Sequence, residues 1–238
     1  MPERRAAAAA TAPTAARLAV DAVLFDLDGT LADTAPDLAG ALNRVRVDRG
    51  LDPLPFARLR PHASHGARGL IGAGFGCTPD HGGFAPLRDA FIAHYESALC
   101  VDSTLFPGID LLLDAIEARA LRWGIVTNKV TRLTLPLVAE LGLSSRAGAI
   151  VCGDTTAHPK PHPEPLLHAA RALGVAPARC VYVGDAARDI EAGRAAGMHT
   201  LVASYGYLGD ADAPEDWLAD GTLDAPGDLL AWLPVRAG

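Results

Sequence analysis

The sequence predicts an α/β fold: a Rossmann-like parallel sheet core with an inserted helical subdomain. Three observations carry this expectation. From Leu111 onward, short apolar runs alternate with longer amphipathic ones. The short runs are apolar throughout rather than at every second position, as strands covered on both faces are. Finally, about a hundred residues separate Asp28 from the end of the next strand at Thr127, where a βαβ unit needs roughly thirty. The surplus, residues 36–106, is read as the insert, and 20–35 with 107–238 as the core.

Residues 1–19, MPERRAAAAATAPTAARLA, are Ala-rich and too weakly apolar for a signal peptide. They are expected to form a mobile or loosely helical extension. A strand is predicted over 21–27. A helix follows at 36–49, where Pro36 suits a first helical position and Gly50 an end. Residues 85–99 place Leu87, Phe91 and Ala98 along one helical face. The core then reads helix 108–121, strand 122–128, and helix 132–143 interrupted or begun by Pro136. Strand 148–154, helix 163–174, strand 179–186, helix 187–197 and strand 199–204 complete the alternation. Trp217 and Trp232 are expected to pack the C-terminal elements.

Composition narrows the function. The 238-residue chain is 50% hydrophobic and carries a net charge of −7. That balance argues against nucleic acid or an anionic membrane as partner, since both call for a basic face. No run is long and apolar enough to cross a bilayer. The four cysteines, Cys77, Cys100, Cys152 and Cys180, lack any Cys-x-x-Cys spacing and read as reduced thiols of a cytoplasmic protein.

In a parallel sheet the carboxyl ends of the strands share one edge, where open α/β sheets bind ligands. The first strand ends in Asp26 and Asp28, the second in Thr127 and Asn128, and a later one in VGDAARD, with Asp185 and Asp189. A Pro-rich loop, AHPKPHPEP, adds Lys160. Carboxylates, a hydroxyl, an amide and a lysine at one edge suit phosphoryl transfer. Asp26 and Asp185 offer the hard oxygens that Mg²⁺ prefers. The i, i+2 spacing aims Asp26 and Asp28 to one side, one as nucleophile and one as proton donor. Lys160 and the metal neutralise charge, Thr127 donates a hydrogen bond, and Gly29 lets backbone approach the phosphate.

DLDGT, VTN, the lone Lys160 and VGDAARD resemble the four motifs of the haloacid dehalogenase-like hydrolase superfamily. The resemblance covers residues 21–235, and the insert matches the helical cap that follows the first motif. It implies Asp26 as nucleophile, Asp28 as general acid/base, Thr127 and Asn128 as substrate-binding, and Lys160 as both catalytic and substrate-binding. It also implies a Mg²⁺ site of Asp26, the Asp28 carbonyl and Asp185, with Asp189 behind it or reached through water. The partner is then a small phosphomonoester, and the chain a monomer or homodimer. Pro159 departs from the small hydroxyl residue that many relatives carry before the lysine.

The insert should choose the substrate. RPHASHGARGLIGAGFG, residues 60–76, carries Arg60, Ser64, His65 and Arg68 in Gly-rich text read as a mobile cover. Arg68 is the candidate for pairing a substrate carboxylate. This text, with SYGYLG, resembles phosphoglycolate phosphatases and equally their relatives acting on N-acetylmuramic acid 6-phosphate. The first is the leading expectation, and a phosphosugar mutase is a further alternative. Asp28 and Asp185 weigh against a dehalogenase, which needs neither. A non-catalytic binding protein is expected to lack at least one core motif residue. His62 with His65, and His158 with His162, read as loop histidines rather than metal ligands.

Overall fold

The computed structural model describes residues 17–210 and 212–235. Strand β1 (Ala22–Phe25) enters the core first. A two-residue strand, β2 (Ala32–Asp33), leads out of it. Helices α1 (Ala35–Val47), α2 (Phe56–Leu59), α3 (Gly66–Phe75) and α4 (Phe84–Glu96) follow, with a 3-10 turn over Arg60–His65. The chain returns through β3 (Thr104–Leu105), antiparallel to β2. It continues as α5 (Ile109–Ala118), β4 (Arg122–Val126), α6 (Thr131–Glu140), β5 (Ala149–Val151) and α7 (Glu164–Leu173). The elements β6 (Cys180–Gly184), α8 (Ala187–Ala195), β7 (His199–Ala203), β8 (Gly221–Leu223) and α9 (Leu229–Trp232) end it.

Six strands form one sheet in the order β5-β4-β1-β6-β7-β8, every pair parallel. Alternation across β1 explains why its residues are all apolar. Val23 and Phe25 share a core with Leu112 and Leu113 of α5 and Leu137 of α6. Ala22 and Leu24 face the other way, among Leu166 and Ala170 of α7 and Ala192 of α8. Each fully buried large aliphatic side chain contributes roughly 1.5–3 kcal/mol. Phe25 lies in register between Ile125 of β4 and Val183 of β6, so these three strands end level. The chain departs from β1 toward β4 on one side and β6 on the other, which makes the end of β1 the switch point.

Residues 60–76, Gly-rich text read as a mobile cover, are helical over most of their length. The glycines serve close packing. A Cβ at Gly74 would lie 2.8 Å from Leu42 Cδ2, and one at Gly69 would lie 2.7 Å from the His62 carbonyl oxygen. His62 and His65 sit in the 3-10 turn. Pro136 lies inside α6 rather than at its start, where it forgoes one helix hydrogen bond. Of the Ala-rich extension, residues 1–16 fall outside the described residues. Leu18 N–H donates to the Trp232 carbonyl at 2.8 Å, and Arg17 to that of Leu233 at 3.0 Å. The four cysteines are unbridged. No helix of the described residues is long and apolar enough to cross a membrane.

Candidate active site

Asp26 follows β1 directly, its N–H donating to the Val183 carbonyl at 2.9 Å. Its side chain is buried, and Oδ1 accepts the Leu27 N–H at 2.8 Å. Lys160 comes from the loop before α7 and lies fully inside, with its ammonium 3.0 Å from Asp26 and 2.7 Å from Asp189. The same nitrogen donates to the Val126 carbonyl at 2.9 Å and the Tyr182 hydroxyl at 2.6 Å. Oxygens of Asp26, Asp185 and Asp189 all lie within 4.8 Å of one another.

The electrostatics of this cluster follow from its burial. Desolvation raises the Asp26 carboxyl above its ordinary range, with Lys160 pulling the other way. Asp185 is pushed up to about 7 by burial, with Asp26 and Asp189 adding to the rise. Burial would lift Asp189 too, but Lys160 and Arg188 overcome it and hold that carboxyl low. Three carboxylates thus face two cations. Asp185 Oδ2 accepts hydrogen bonds from Ser64 Oγ and, at 3.0 Å, from the Tyr207 N–H. Its Oδ1 is buried with no hydrogen-bond partner among the described residues. An orphaned carboxylate oxygen among like charges, offering only hard oxygen donors, fits a divalent cation.

The backbone after β1 is built to let Asp185 in. Gly29 has φ +84°, and a Cβ there would lie 2.1 Å from Asp185 Oδ2. Both facts require glycine.

The Asp28 carboxylate does not join the acidic cluster. Its Oδ1 accepts from Lys129 Nζ at 2.6 Å and from Thr34 Oγ1. The i, i+2 rule that aims Asp26 and Asp28 together holds within a strand, and β1 ends at Phe25. Thr127 is buried at the end of β4, and its hydroxyl accepts the Lys129 N–H at 3.1 Å. Asn128 uses both ends of its amide on the Lys160 main chain, each at 2.9 Å. It therefore holds the lysine loop in place as well as bordering the cavity. Arg68 lines the same cavity, exposed, with no hydrogen bond or ion pair among the described residues.

That cavity, about 750 Å³, opens from Asp26, Thr127 and Lys160 toward the helical insert. Part of its lining is apolar: Leu38, Phe91, Ile92, Val130 and Leu133. Two charged residues here went unread in the sequence. Lys129 follows VTN directly. Burial works against its ammonium, but Asp28 and Tyr95 hold it above the ordinary lysine value. Arg188, inside GDAARD, faces the aspartates and donates to the Ser64 carbonyl of the insert at 2.7 Å. Their positions beside motif residues were the available signal.

The family model for haloacid dehalogenase-like hydrolases matches residues 20–197. The chain belongs to the haloacid dehalogenase-like hydrolases. Among its relatives in this family is an N-acetylmuramic acid 6-phosphate phosphatase of Pseudomonas aeruginosa. The two are 43% identical over 90% of this chain and 95% of the relative. A phosphoglycolate phosphatase of Xanthomonas campestris pv. campestris is 44% identical over 90% of this chain and 96% of its own. A crystal structure of a predicted phosphoglycolate phosphatase from Haemophilus somnus superposes with a TM-score of 0.77 at 27% identity. That match covers 89% of this chain and 96% of the other. Haloacid dehalogenase-like hydrolases generally depend on a metal ion, and the cluster of Asp26, Asp185 and Asp189 is the acidic group that suits one here.

Proposed function

We propose that this enzyme hydrolyses a small carboxylate-bearing phosphomonoester, 2-phosphoglycolate first, through a phosphoryl group carried on Asp26. The observation that carries this reading is the placement of Asp26. It is buried at the switch point, in contact with Lys160, and lines the cavity that Thr127 also borders. An Asp26 carboxylate oxygen attacks phosphorus, and the bond from phosphorus to the ester oxygen breaks. Asp28 gives its proton to the departing oxygen. It then takes one from the water that attacks the phosphoryl-aspartate, which releases phosphate and restores Asp26. Lys160 offsets the charge that gathers on the phosphoryl oxygens, and the Thr127 hydroxyl donates to one of them.

Asp26, Asp185 and the Asp28 main-chain carbonyl would hold Mg²⁺, with Asp189 behind them on Lys160. When bound, that ion supplies positive charge against the transferring group. The unpartnered Asp185 oxygen supports this assignment. Residues 36–106 act as the cap, and Arg68 on its α3 reads the carboxylate. The four unbridged cysteines accord with a cytoplasmic setting. The enzyme acts there as a monomer or homodimer.

One observation favours the second reading, N-acetylmuramic acid 6-phosphate. A two-carbon acid leaves most of a 750 Å³ cavity empty, whereas a substituted sugar would set its methyl groups against the apolar part of the lining. The test is kcat/KM for both esters with Mg²⁺, beside hexose phosphates and Asp26→Asn as control. Release of phosphate from one acid ester, abolished by Asp26→Asn, is the expected result. Retention of a tenth of the rate in Asp26→Asn would sink the covalent route.

A further inference from the structure

We propose that Arg188 is a further catalytic residue, whose guanidinium donates hydrogen bonds to the oxygens of the phosphoryl group in transit between the ester and Asp26. The inference rests on the reading of Asp26 as the nucleophile.

Arg188 is the second residue of α8, three positions after Asp185. The residues around it are pinned. The Asp189 N–H donates to the Ala186 carbonyl at 2.9 Å, and Asp189 Oδ2 accepts the Ala186 N–H at 3.1 Å. Asp189 Oδ1 meets the Lys160 ammonium at 2.7 Å. From this root the side chain reaches the cavity that Asp26, Thr127 and Lys160 line. Its Nη2 donates to the Ser64 carbonyl at 2.7 Å. A guanidinium carries five N–H donors in a planar fork. Among the described residues, that bond to Ser64 is the only one the Arg188 side chain makes.

This is a strange posture for an arginine beside three carboxylates. Burial works against its charge, but Asp189, Asp26 and Asp185 overcome it and raise its pKa above the ordinary arginine value. Yet its hydrogen bond goes to a neutral carbonyl, and among the described residues it closes no ion pair. Lys160, by contrast, touches both Asp26 and Asp189. Of the other cations on the cavity, Lys129 is spent on Asp28, and Arg68 stands exposed on the insert. An arginine whose task was to neutralise the cluster would fork onto a carboxylate, the partner its geometry fits best. One that stands off leaves room for a group between itself and Asp26, and its free N–H edge calls for oxygen acceptors that carry negative charge. The phosphoryl group attacked by Asp26 is such a group. The charge count agrees. Three carboxylates and two cations leave the cluster one charge negative, and with a divalent cation bound it is one charge positive, which suits a dianionic ester. Without Arg188 that surplus is gone. The guanidinium keeps all its protons throughout and acts by meeting the charge spread over the transferring oxygens.

Arg188→Ala, with its folding checked by circular dichroism, tests this. Its kcat/KM should fall by about 10²- to 10³-fold, the range for one donor aimed at a transition state. The fall should be the same for 2-phosphoglycolate and p-nitrophenyl phosphate, which share only the phosphoryl group. Orthovanadate, which imitates five-coordinate phosphorus, should inhibit more weakly by a comparable factor. Millimolar guanidinium should restore part of the rate to Arg188→Ala and none to Asp26→Asn. Calorimetric titration with Mg²⁺ should show binding no weaker than in the wild type, because the side chain removed carries the same sign of charge as the ion. A loss confined to 2-phosphoglycolate would make Arg188 a reader of the carboxylate and overturn the proposal. So would wild-type rates, undiminished inhibition by vanadate, a rate that guanidinium leaves unmoved, or lost binding of Mg²⁺. If Arg188→Ala does not fold, Arg188→Lys decides. It keeps the charge without the fork, and should lose about 10-fold in kcat/KM on both esters; wild-type values in that variant overturn the proposal. Asp26→Asn keeps the two levels apart. Turnover by Asp26→Asn defeats the covalent reading and the role of Arg188 with it. An inactive Asp26→Asn beside wild-type rates in Arg188→Ala defeats the role of Arg188 alone.

Discussion

Replacing Lys160 with methionine removes the ammonium that touches two buried aspartates while keeping the length of the side chain. Lys160 is fully buried, with Asp26 3.0 Å and Asp189 2.7 Å away, and it also donates to the Val126 carbonyl and the Tyr182 hydroxyl. Taking away one partner of a buried pair costs about 3–5 kcal/mol, because the other charge stays behind unpaired. Two carboxylates are left here, which points to the upper half of that range. For a domain of this size each kcal/mol moves Tm by about 2–4 °C, so the drop should be roughly 8–20 °C.

The loss should depend on pH. Without the lysine, only Arg188 is left to offset burial at Asp26 and Asp189, and their folded-state pKa values rise. A carboxyl raised in the folded state takes up a proton as pH falls, so the penalty is full at pH 8 and partly relieved at pH 5. Thermal and urea unfolding of metal-free protein at both pH values measures this. Lys160→Met combined with Asp189→Asn should regain about 1–3 kcal/mol over Lys160→Met alone, since the two side chains touch. A loss below about 1 kcal/mol with no pH dependence and no recovery in the double variant would refute the reasoning, and with it the view of Lys160 as the charge anchor of the cluster.

Three further outcomes are expected. Arg68→Ala should weaken kcat/KM for a carboxylate-bearing ester by about 1.5–3 kcal/mol, the worth of a hydrogen bond to a charged group, and leave p-nitrophenyl phosphate untouched; a parallel fall in both would make Arg68 a solvated residue. Asp185 is ordinarily near 3.8 and stands at about 7 in the fold, so between those values the unfolded chain has lost a proton that the folded one keeps. Stability of metal-free protein should therefore fall as pH rises from about 4 to about 7. Mg²⁺ should restore it above that window, and Asp185→Asn should flatten the profile; Tm scans with chelator and with Mg²⁺ check this. Gly29→Ala should abolish Mg²⁺-dependent turnover, because its Cβ would fall 2.1 Å from Asp185 Oδ2 at a φ of +84°. Wild-type activity in that variant would mean that the turn can shift freely.

The sheet and the core of the site were legible because both are local. Apolar runs of four or five residues mark the strands, and the polar residues that end those runs necessarily meet at one edge. Asp26, Thr127 and Asp185 were found this way, Lys160 and Asp189 came from the loop and helix text beside them, and β1, β4 and β6 end level as the shared edge requires. What the sequence hid depends on distant partners. The glycines of 60–76 look like flexibility until Leu42 is seen filling the space beside Gly74. Lys129 is an ordinary lysine until Tyr95 is brought over it from an element thirty-four positions earlier. Asp28 lines the same cavity as Asp26, but its pairing with Lys129 and Thr34 was hidden, because alternation says nothing past the last residue of β1, in a turn that Gly29 bends.

The arrangement around Asp26 makes little sense as a device for stability. Buried ion pairs are weak evidence of stabilisation, since apolar residues of the same volume commonly do as well or better. Here the balance is worse than in a pair, for three buried carboxylates face two cations and one carboxylate oxygen has no hydrogen-bond partner among the described residues. Burial lifts Asp26 and Asp185 above their ordinary range, so both resist the charge that a nucleophile and a metal ligand must carry. A ligand that binds only the folded form reverses such a cost by mass action, and a divalent cation is the ligand that three hard oxygen donors select. The same ion that stabilises the fold would then return Asp26 to its ionised, attacking form. Stability and reactivity of the site are in this way tied to one binding event, which is why the chelator, pH and Asp185→Asn measurements should move together.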